Sequence, residues 1–342
     1  MREKERYMEK FEILCDYQEN FESESSNGHI NDHQTKETFI EIEKSIKALG
    51  YPCEIFGGVP ELLQAQNSKL DLTDTIFLNL SDGLSQQYSR VQIPILCDIL
   101  GVKYSGGNPF TVALTSNKFY TKLAVEKLGV PIPWSILVTT NNLPDERTLK
   151  TIPYPVIIKP NCEGSSVGID SSSICKNMEQ LHFKMFVMLE KYSEIIIEKF
   201  IAGYDITNFI IGNVENFRLN QTLVALHDNK IIENHEIMSI NDYVELKNSY
   251  KNSLSCISNL TNQKIMSYSQ SIVSNLNIYD IARIDYRVTK SGEIYFLEVN
   301  TVPAIHKRTQ AGAVCKILDI SFEEFLDIYV TSVEKRLHKK DN

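Results

Sequence analysis

Ile281-Ala282-Arg283-Ile284-Asp285-Tyr286-Arg287-Val288 and Ile294-Tyr295-Phe296-Leu297-Glu298-Val299-Asn300 are two β-like runs joined by Thr289-Lys290-Ser291-Gly292-Glu293. Ser291-Gly292 suits a two-residue hairpin turn. Pairing Lys290 with Glu293 sets Asp285 opposite Glu298 and Arg283 opposite Asn300. Because strand side chains alternate faces, Arg283, Asp285, Glu298 and Asn300 share one side. Ile284, Tyr286 and Val288 then meet Val299, Leu297 and Tyr295 on the other, which reads as core. Two carboxylates directly across a hairpin repel unless a cation compensates them. With the Asn300 carbonyl they form an all-oxygen set suited to Mg²⁺ or Mn²⁺ and unsuited to zinc. The competing reading is a hairpin edge whose charges face water.

Upstream, Val156-Ile157-Ile158-Lys159 reads as a strand and Cys162 to Gly168 as a small-residue loop. In that loop Glu163-Gly164-Ser165-Ser166 offers backbone N–H groups and hydroxyls to an anion, and Lys159 offers a point charge. By itself the loop also reads as an ordinary tight turn. Neither G-x-x-x-x-G-K-[ST] nor G-x-G-x-x-G occurs, so the common P-loop and dinucleotide readings lose their main support. Glu194 to Glu198 forms another strand, and Glu198-Lys199-Phe200-Ile201 leaves it with backbone groups beside apolar side chains, room for an adenine ring or a plain strand end.

The 342 residues suggest two or three units at roughly 150 residues each. Strand Phe11–Cys15, helix Gln34–Leu49, strands Cys53–Phe56 and Thr75–Leu80, and helix Val91–Leu100 give a βαβ rhythm, hence a parallel sheet. A turn-rich patch, Ser105 to Pro109, precedes a helix read over Ser116–Leu128, and a further helix is read over Asn177–Tyr192. The polar run His235–Leu254 lacks either clean period and reads as a mobile loop.

Composition narrows the function. A net charge of −9 disfavours a nucleic-acid binder that works through a broad basic face. A charged start without an apolar segment behind it, and no run of about 18 apolar residues, predict a cytoplasmic protein without membrane contact. The 7 cysteines are scattered with no C-x-x-C pair, against a disulfide framework or thiolate zinc, and Cys162 has no nearby His to make it a nucleophile.

Pro155-Val156-Ile157-Ile158-Lys159-Pro160-Asn161-Cys162-Glu163-Gly164-Ser165-Ser166-Val167-Gly168, Ile196-Ile197-Glu198-Lys199-Phe200, and Arg283-Ile284-Asp285 with Phe296-Leu297-Glu298-Val299-Asn300-Thr301 together resemble the ATP-grasp ligases, specifically D-alanine–D-alanine ligases and their relatives. The likeness covers roughly residues 75 to 330. It implies an α/β (α+β) ATP-grasp fold: an N-terminal βαβ domain at 1–115, a central subdomain at 116–200 and a C-terminal subdomain with a metal site at 201–342.

It also implies roles. Lys118 and Lys159 would hold nucleotide phosphates, with Glu163, Gly164, Ser165 and Ser166 in the loop over them and Ser165 among the catalytic groups. Glu198 would accept from the adenine amino group beside Lys199, Phe200 and Ile201, Asp205 would lie near the ribose, and Lys247 would contact phosphate. Asp285, Glu298 and Asn300 would bind Mg²⁺ (or Mn²⁺), and Arg283 would stabilise a tetrahedral intermediate.

The departures concern substrates. The family's Gly-Gly-x-Ser-x-Glu loop is replaced by Asp16-Tyr17-Gln18-Glu19, its histidine after the third strand by Ser81-Asp82-Gly83, and no tyrosine follows Lys247. After Asn300 stands Pro303-Ala304-Ile305-His306-Lys307-Arg308-Thr309, whose basic groups suit either an anionic acceptor or a solvated loop. The resemblance therefore implies an ATP- and Mg-dependent carboxylate–amine ligase acting on amino acid or peptide-like small molecules through an acyl phosphate, with a homodimer allowed. Two alternatives stay open: an ATP-grasp enzyme that loads an amino acid onto a carrier or serves specialised-metabolite assembly, and a nucleotide-binding regulatory module without turnover.

Overall fold

The protein is described from a computed structural model that covers residues 9–17, 34–84, 87–164, 166–214, 216–231 and 248–339. Strands β1 (Lys10–Leu14), β2 (Cys53–Gly57), β3 (Thr75–Asn79) and β4 (Lys103–Tyr104) form a parallel sheet in the order β2-β1-β3-β4. Every residue of β3 is buried, as a parallel sheet covered on both faces demands. Helix α1 (Lys36–Ala48) lays Phe39, Ile42 and Ile46 on one face with Phe11, Ile13 and Leu78. Helices α2 (Val59–Ser68) and α3 (Gln92–Leu100) cover the other with Leu62, Ile93 and Cys97 against Leu14 and Phe77. The expected βαβ rhythm is present.

The helix expected over Ser116–Leu128 is α5 (Lys118–Lys127), and a short helix not expected from the sequence, α4 (Pro109–Thr115), precedes it. Asn108 Oδ1 accepts from Thr111 N at 2.9 Å and Asn117 Oδ1 from Tyr120 N at 3.0 Å, so each starts its own helix. Beyond them β5 (Ser135–Thr139), β6 (Val156–Pro160), β7 (Ile174–Cys175) and β8 (Glu194–Lys199) build an antiparallel sheet, order β5-β8-β6-β7, packed by α6 (Glu146–Thr151) and α7 (Met178–Leu189) through Leu149, Leu181 and Met185.

A larger antiparallel sheet runs β11 (Lys230–Ile231), β10 (Asn216–His227), β9 (Tyr204–Asn213), β13 (Ile281–Val288) and β14 (Ile294–Asn300), with β12 (Asn248–Asn252) also on β10. β12 corrects the expected loop over His235–Leu254: its pairing from Leu223↔Asn252 to His227↔Asn248 comes from the neighbouring strand and needs no periodicity of its own. Residues 232–247 lie outside the described ones. Ile265 and Ile272 of α8 (Asn259–Asn275), with Val125 and Val130, cover one face. Helices α9 (Gln310–Leu318) and α10 (Phe322–Lys339) cover the other, where Phe325, Tyr329 and Val333 join one core with Phe209, Ile211 and the first sheet's Phe11 and Ile13.

The hairpin carries a second correction. Thr289 N donates to Glu293 O and Gly292 N to Thr289 O, both at 2.9 Å, so the loop holds three residues and Gly292 takes the left-handed position at φ 89°. That shifts the register by one: Tyr286 faces Phe296 and Val288 faces Ile294. A bulge between Asp285 and Tyr286, opposite Leu297, shifts it back. Asp285↔Glu298 and Arg283↔Asn300 therefore stand as the sequence suggested, while Phe296 and Ile294, in place of Leu297 and Tyr295, enter the core.

Where β13 begins, fully buried Asp280 binds Arg336 of α10 (Nε at 2.9 Å, Nη2 at 2.7 Å), Gly106 N at 3.0 Å and Asn213 Nδ2 at 3.2 Å. Replacing Arg336 with Met leaves that carboxylate without its counter-ion and should cost about 3–5 kcal/mol in denaturant unfolding. Asp280→Asn in the same background should recover part of the loss.

Candidate active site

Between the central and the larger sheet opens a cleft whose space, counted out to its mouth, is about 1120 Å³. Ile157, Lys159, Pro160 and the segment Glu198–Ile201 form one wall, and Asp205, Thr207, Arg283, Asp285, Arg287, Leu297 and Glu298 form the other. Glu163, Gly164, Ser166 and Val167 make the lip, Lys118 lies between the walls, and Tyr250 with Gln310 closes one end. The structure thus brings most of the residues singled out in the sequence to one cavity. Asn300 is not among its lining, and Ser165 and Lys247 lie outside the described residues.

The lip is a folded turn. Val167 N donates to Gly164 O at 2.9 Å and Ile169 N to Ser166 O at 3.0 Å, Ser166 holds φ 59°, and the Lys118 ammonium donates to the Glu163 carbonyl. At Gly168, φ 75°, an added Cβ would stand 2.8 Å from the Tyr192 hydroxyl, so only glycine fits there. Cys162, half-buried behind the lip, receives Gln87 Nε2 at 3.3 Å and its thiol is pushed up by burial, which is the setting of an inert cysteine.

Glu198 is the deepest charge. It is 2% exposed, with Lys159 Nζ 2.5 Å from Oε1 and Lys122 Nζ 3.4 Å from Oε2. Burial raises its carboxyl, yet the two lysines outweigh burial and hold it below the usual range. Lys122 is fully buried, and burial pushes its ammonium down to about 8 against the pull of Glu198. Sequence reading passed over Lys122, although it sits four residues from Lys118 on the same face of α5.

At the other wall Asp285 Oδ2 receives Arg283 Nε and Nη2, both at 3.0 Å, and Oδ1 receives the Thr207 hydroxyl at 2.7 Å. Glu298 lies 3.1 Å from Lys118 Nζ and 3.7 Å from Arg283 Nη2. The two acids respond oppositely. Burial, despite Arg283, raises Asp285, whereas Lys118, Lys159 and Arg283 overcome burial at Glu298 and pull it to about 2. Protein cations therefore compensate the facing carboxylates. The donors remain chemically right for a hard divalent ion, since Asp285 and Glu298 are register partners and each offers carboxylate oxygens. The Asn300 Oδ1 accepts from Val302 N at 3.0 Å, which leaves that oxygen one lone pair.

Arg287 is a second residue missed, although strand alternation puts it on the face of Arg283 and Asp285. It is 4% exposed, pairs with Asp205, donates to the Ile201 carbonyl at 2.9 Å and lies 5.6 Å above the Phe200 ring. Lys199 turns its ammonium to the Pro153 and Tyr154 carbonyls at 2.9 and 3.0 Å. The basic run after Asn300 is committed elsewhere: Lys307 and His306 face Glu41 at 2.6 and 3.5 Å, and neither lines the cleft. Tyr250 and Gln310, bonded at 2.7 Å, carried no sequence signal because β12 and α9 bring them together only in the fold.

Two sheets that clamp a cleft between lysines and a carboxylate hairpin define an ATP-grasp fold. Known structures agree: the D-alanine–D-alanine ligase of Bacillus anthracis, complexed with ATP, superposes with a TM-score of 0.73 over 98% of this chain and 99% of that one at 18% identity. The VanG D-Ala:D-Ser ligase of Enterococcus faecalis gives 0.68 over 95% and 100% at 17% identity. The family described as "D-ala D-ala ligase C-terminus" matches residues 124–331, more than half of the chain, and the chain belongs to that family. Among named relatives, the D-alanine–D-alanine ligases of Aquifex aeolicus and Petrotoga mobilis are each 29% identical, over 69% and 76% of this chain and 75% and 85% of theirs.

Arg287→Met would leave the Ile201 carbonyl and Asp205 without their donor. Urea unfolding should report a loss of about 2–3 kcal/mol, and Arg287→Lys, which keeps the charge but not the fork, should lose roughly half of that.

Proposed function

We propose that the protein is an ATP-dependent ligase that joins the carboxylate of an amino acid or peptide-like acid to an amine, releasing ADP and phosphate. The observation that carries this reading is the convergence of Lys118, Lys159, Arg283, Asp285 and Glu298 on one cleft, in a chain whose family and named relatives are D-alanine–D-alanine ligases.

Glu198 accepts from the adenine amino group while the backbone of Lys199 and Ile201 and the Phe200 side chain flank the base. Asp205, held by Arg287, takes the ribose. Lys118 and Lys159 grip the phosphates under the lip of Glu163, Gly164, Ser165 and Ser166, with Lys247 as a further contact. A substrate carboxylate oxygen attacks the γ-phosphorus, the bond to the β-phosphate oxygen breaks, and ADP leaves an acyl phosphate. The amine then attacks the acyl carbon, Arg283 stabilises the oxyanion, and collapse expels phosphate to leave the amide. A Mg²⁺ or Mn²⁺ ion held by Asp285, Glu298 and Asn300 would supply charge for the transferring phosphoryl group. The protein's share is alignment of carboxylate, phosphate and amine, with no covalent nucleophile.

No described helix is long and apolar enough to cross a membrane.

Asp285→Asn and Glu298→Gln should each lower ADP release, assayed with panels of D- and L-amino acids and dipeptides, by at least about 100-fold with the fold retained by circular dichroism. Activity within a few-fold of wild type in either would remove the carboxylate pair from the mechanism. In calorimetry Lys159→Ala should bind ATP about tenfold or more weakly, and unchanged affinity would take Lys159 out of the site.

A further inference from the structure

Lys122 is a buried cation that the mechanism above leaves unused. It is fully enclosed and does not line the cleft. Its ammonium donates to the carbonyl of Leu297, lies 5.5 Å above the Phe296 ring and stands 3.4 Å from Glu198 Oε2. That oxygen is buried and has no hydrogen-bond partner, so the charge of Lys122 is what compensates it. The other Glu198 oxygen is held by Lys159, which does line the cleft, where a bound anion would compete for its ammonium.

We infer that Lys122 is the standing counter-ion of Glu198 and so fixes the preference of the cleft for a 6-amino over a 6-oxo purine. The inference deepens the proposed function and rests on Glu198 facing the base. An ionised carboxylate has only acceptors. It receives a hydrogen bond from a 6-amino group and repels a 6-oxo oxygen. When a triphosphate draws Lys159 away, Glu198 stays an anion only if another cation remains behind it, since a lone charge at that depth takes up a proton instead. A protonated Glu198 donates, and a 6-oxo oxygen then becomes an acceptable partner. Lys122 cannot follow the nucleotide, because Leu297, Phe296 and Glu198 enclose it. It is a positioning residue that acts through Glu198 and never touches the ligand.

The test compares ATP with ITP, by calorimetric affinity and by KM and kcat for ADP release, in wild type, Lys122→Gln, Lys122→Arg and Glu198→Gln. Lys122→Gln keeps a donor for the Leu297 carbonyl and removes the charge. Its ATP-over-ITP preference should fall at least tenfold, through KM and not kcat, approaching that of Glu198→Gln, while Lys122→Arg keeps most of the preference. A folded Lys122→Gln protein with a preference within twofold of wild type overturns the inference. So does a Lys122→Gln protein that fails to fold while Lys122→Arg folds without regaining the preference, which assigns the lysine to the scaffold alone. Wild type that binds ATP without preferring it to ITP strikes instead at the placement of Glu198 beneath the base, and the inference goes with it.

Discussion

Charge compensation inside a half-dry cleft is the constraint around which this protein is built. Glu198, Asp205, Asp285 and Glu298 stand within reach of Lys118, Lys122, Lys159, Arg283 and Arg287, and each carboxylate has a cation within about 3.5 Å. Four anions against five cations leave one positive charge among these groups. At this burial an unpaired member would be costly, so the pairs keep the walls in place.

The backbone holds these groups in position. Asp285 and Glu298 meet because a three-residue loop and a single bulge cancel in register. The carbonyl of the bulged Leu297 is capped from behind by Lys122, the residue that also compensates Glu198 on the opposite wall. One side chain on α5 therefore joins β14 on one wall to β8 on the other. Packing of α5 through Val125 into the core beneath β13 and β14 keeps it from drifting.

Much of this was legible in the residues themselves. The β-rich runs, the pairing of Asp285 with Glu298 and the clustering of Lys159, Glu198 and Arg283 follow from alternation, turn chemistry and the likeness to ATP-grasp ligases. What escaped depends on tertiary partners. The strand at Asn248–Asn252 takes its register from β10, the short helix α4 starts from the cap at Asn108, and the shift of Leu297 out of the core needed the loop length. Lys307 looked available to a substrate because Glu41, its partner, is 266 positions away along the chain. Lys122 and Arg287 were missed for another reason: periodicity had already put each on the same face as a residue singled out, Lys118 for one and Asp285 for the other.

The core shared by α10 and β1 bears on biosynthesis. Phe325 and Tyr329 complete the hydrophobic layer that Phe11 and Ile13 begin, so the first sheet emerges from the ribosome with part of its inner face still awaiting residues made some three hundred codons later. Contacts of such sequence separation form late and slow folding, and an exposed parallel sheet is prone to wrong associations meanwhile. Translation must have passed α10 before the earliest strands can settle, which makes the nascent chain a natural client for chaperones that shield apolar surface.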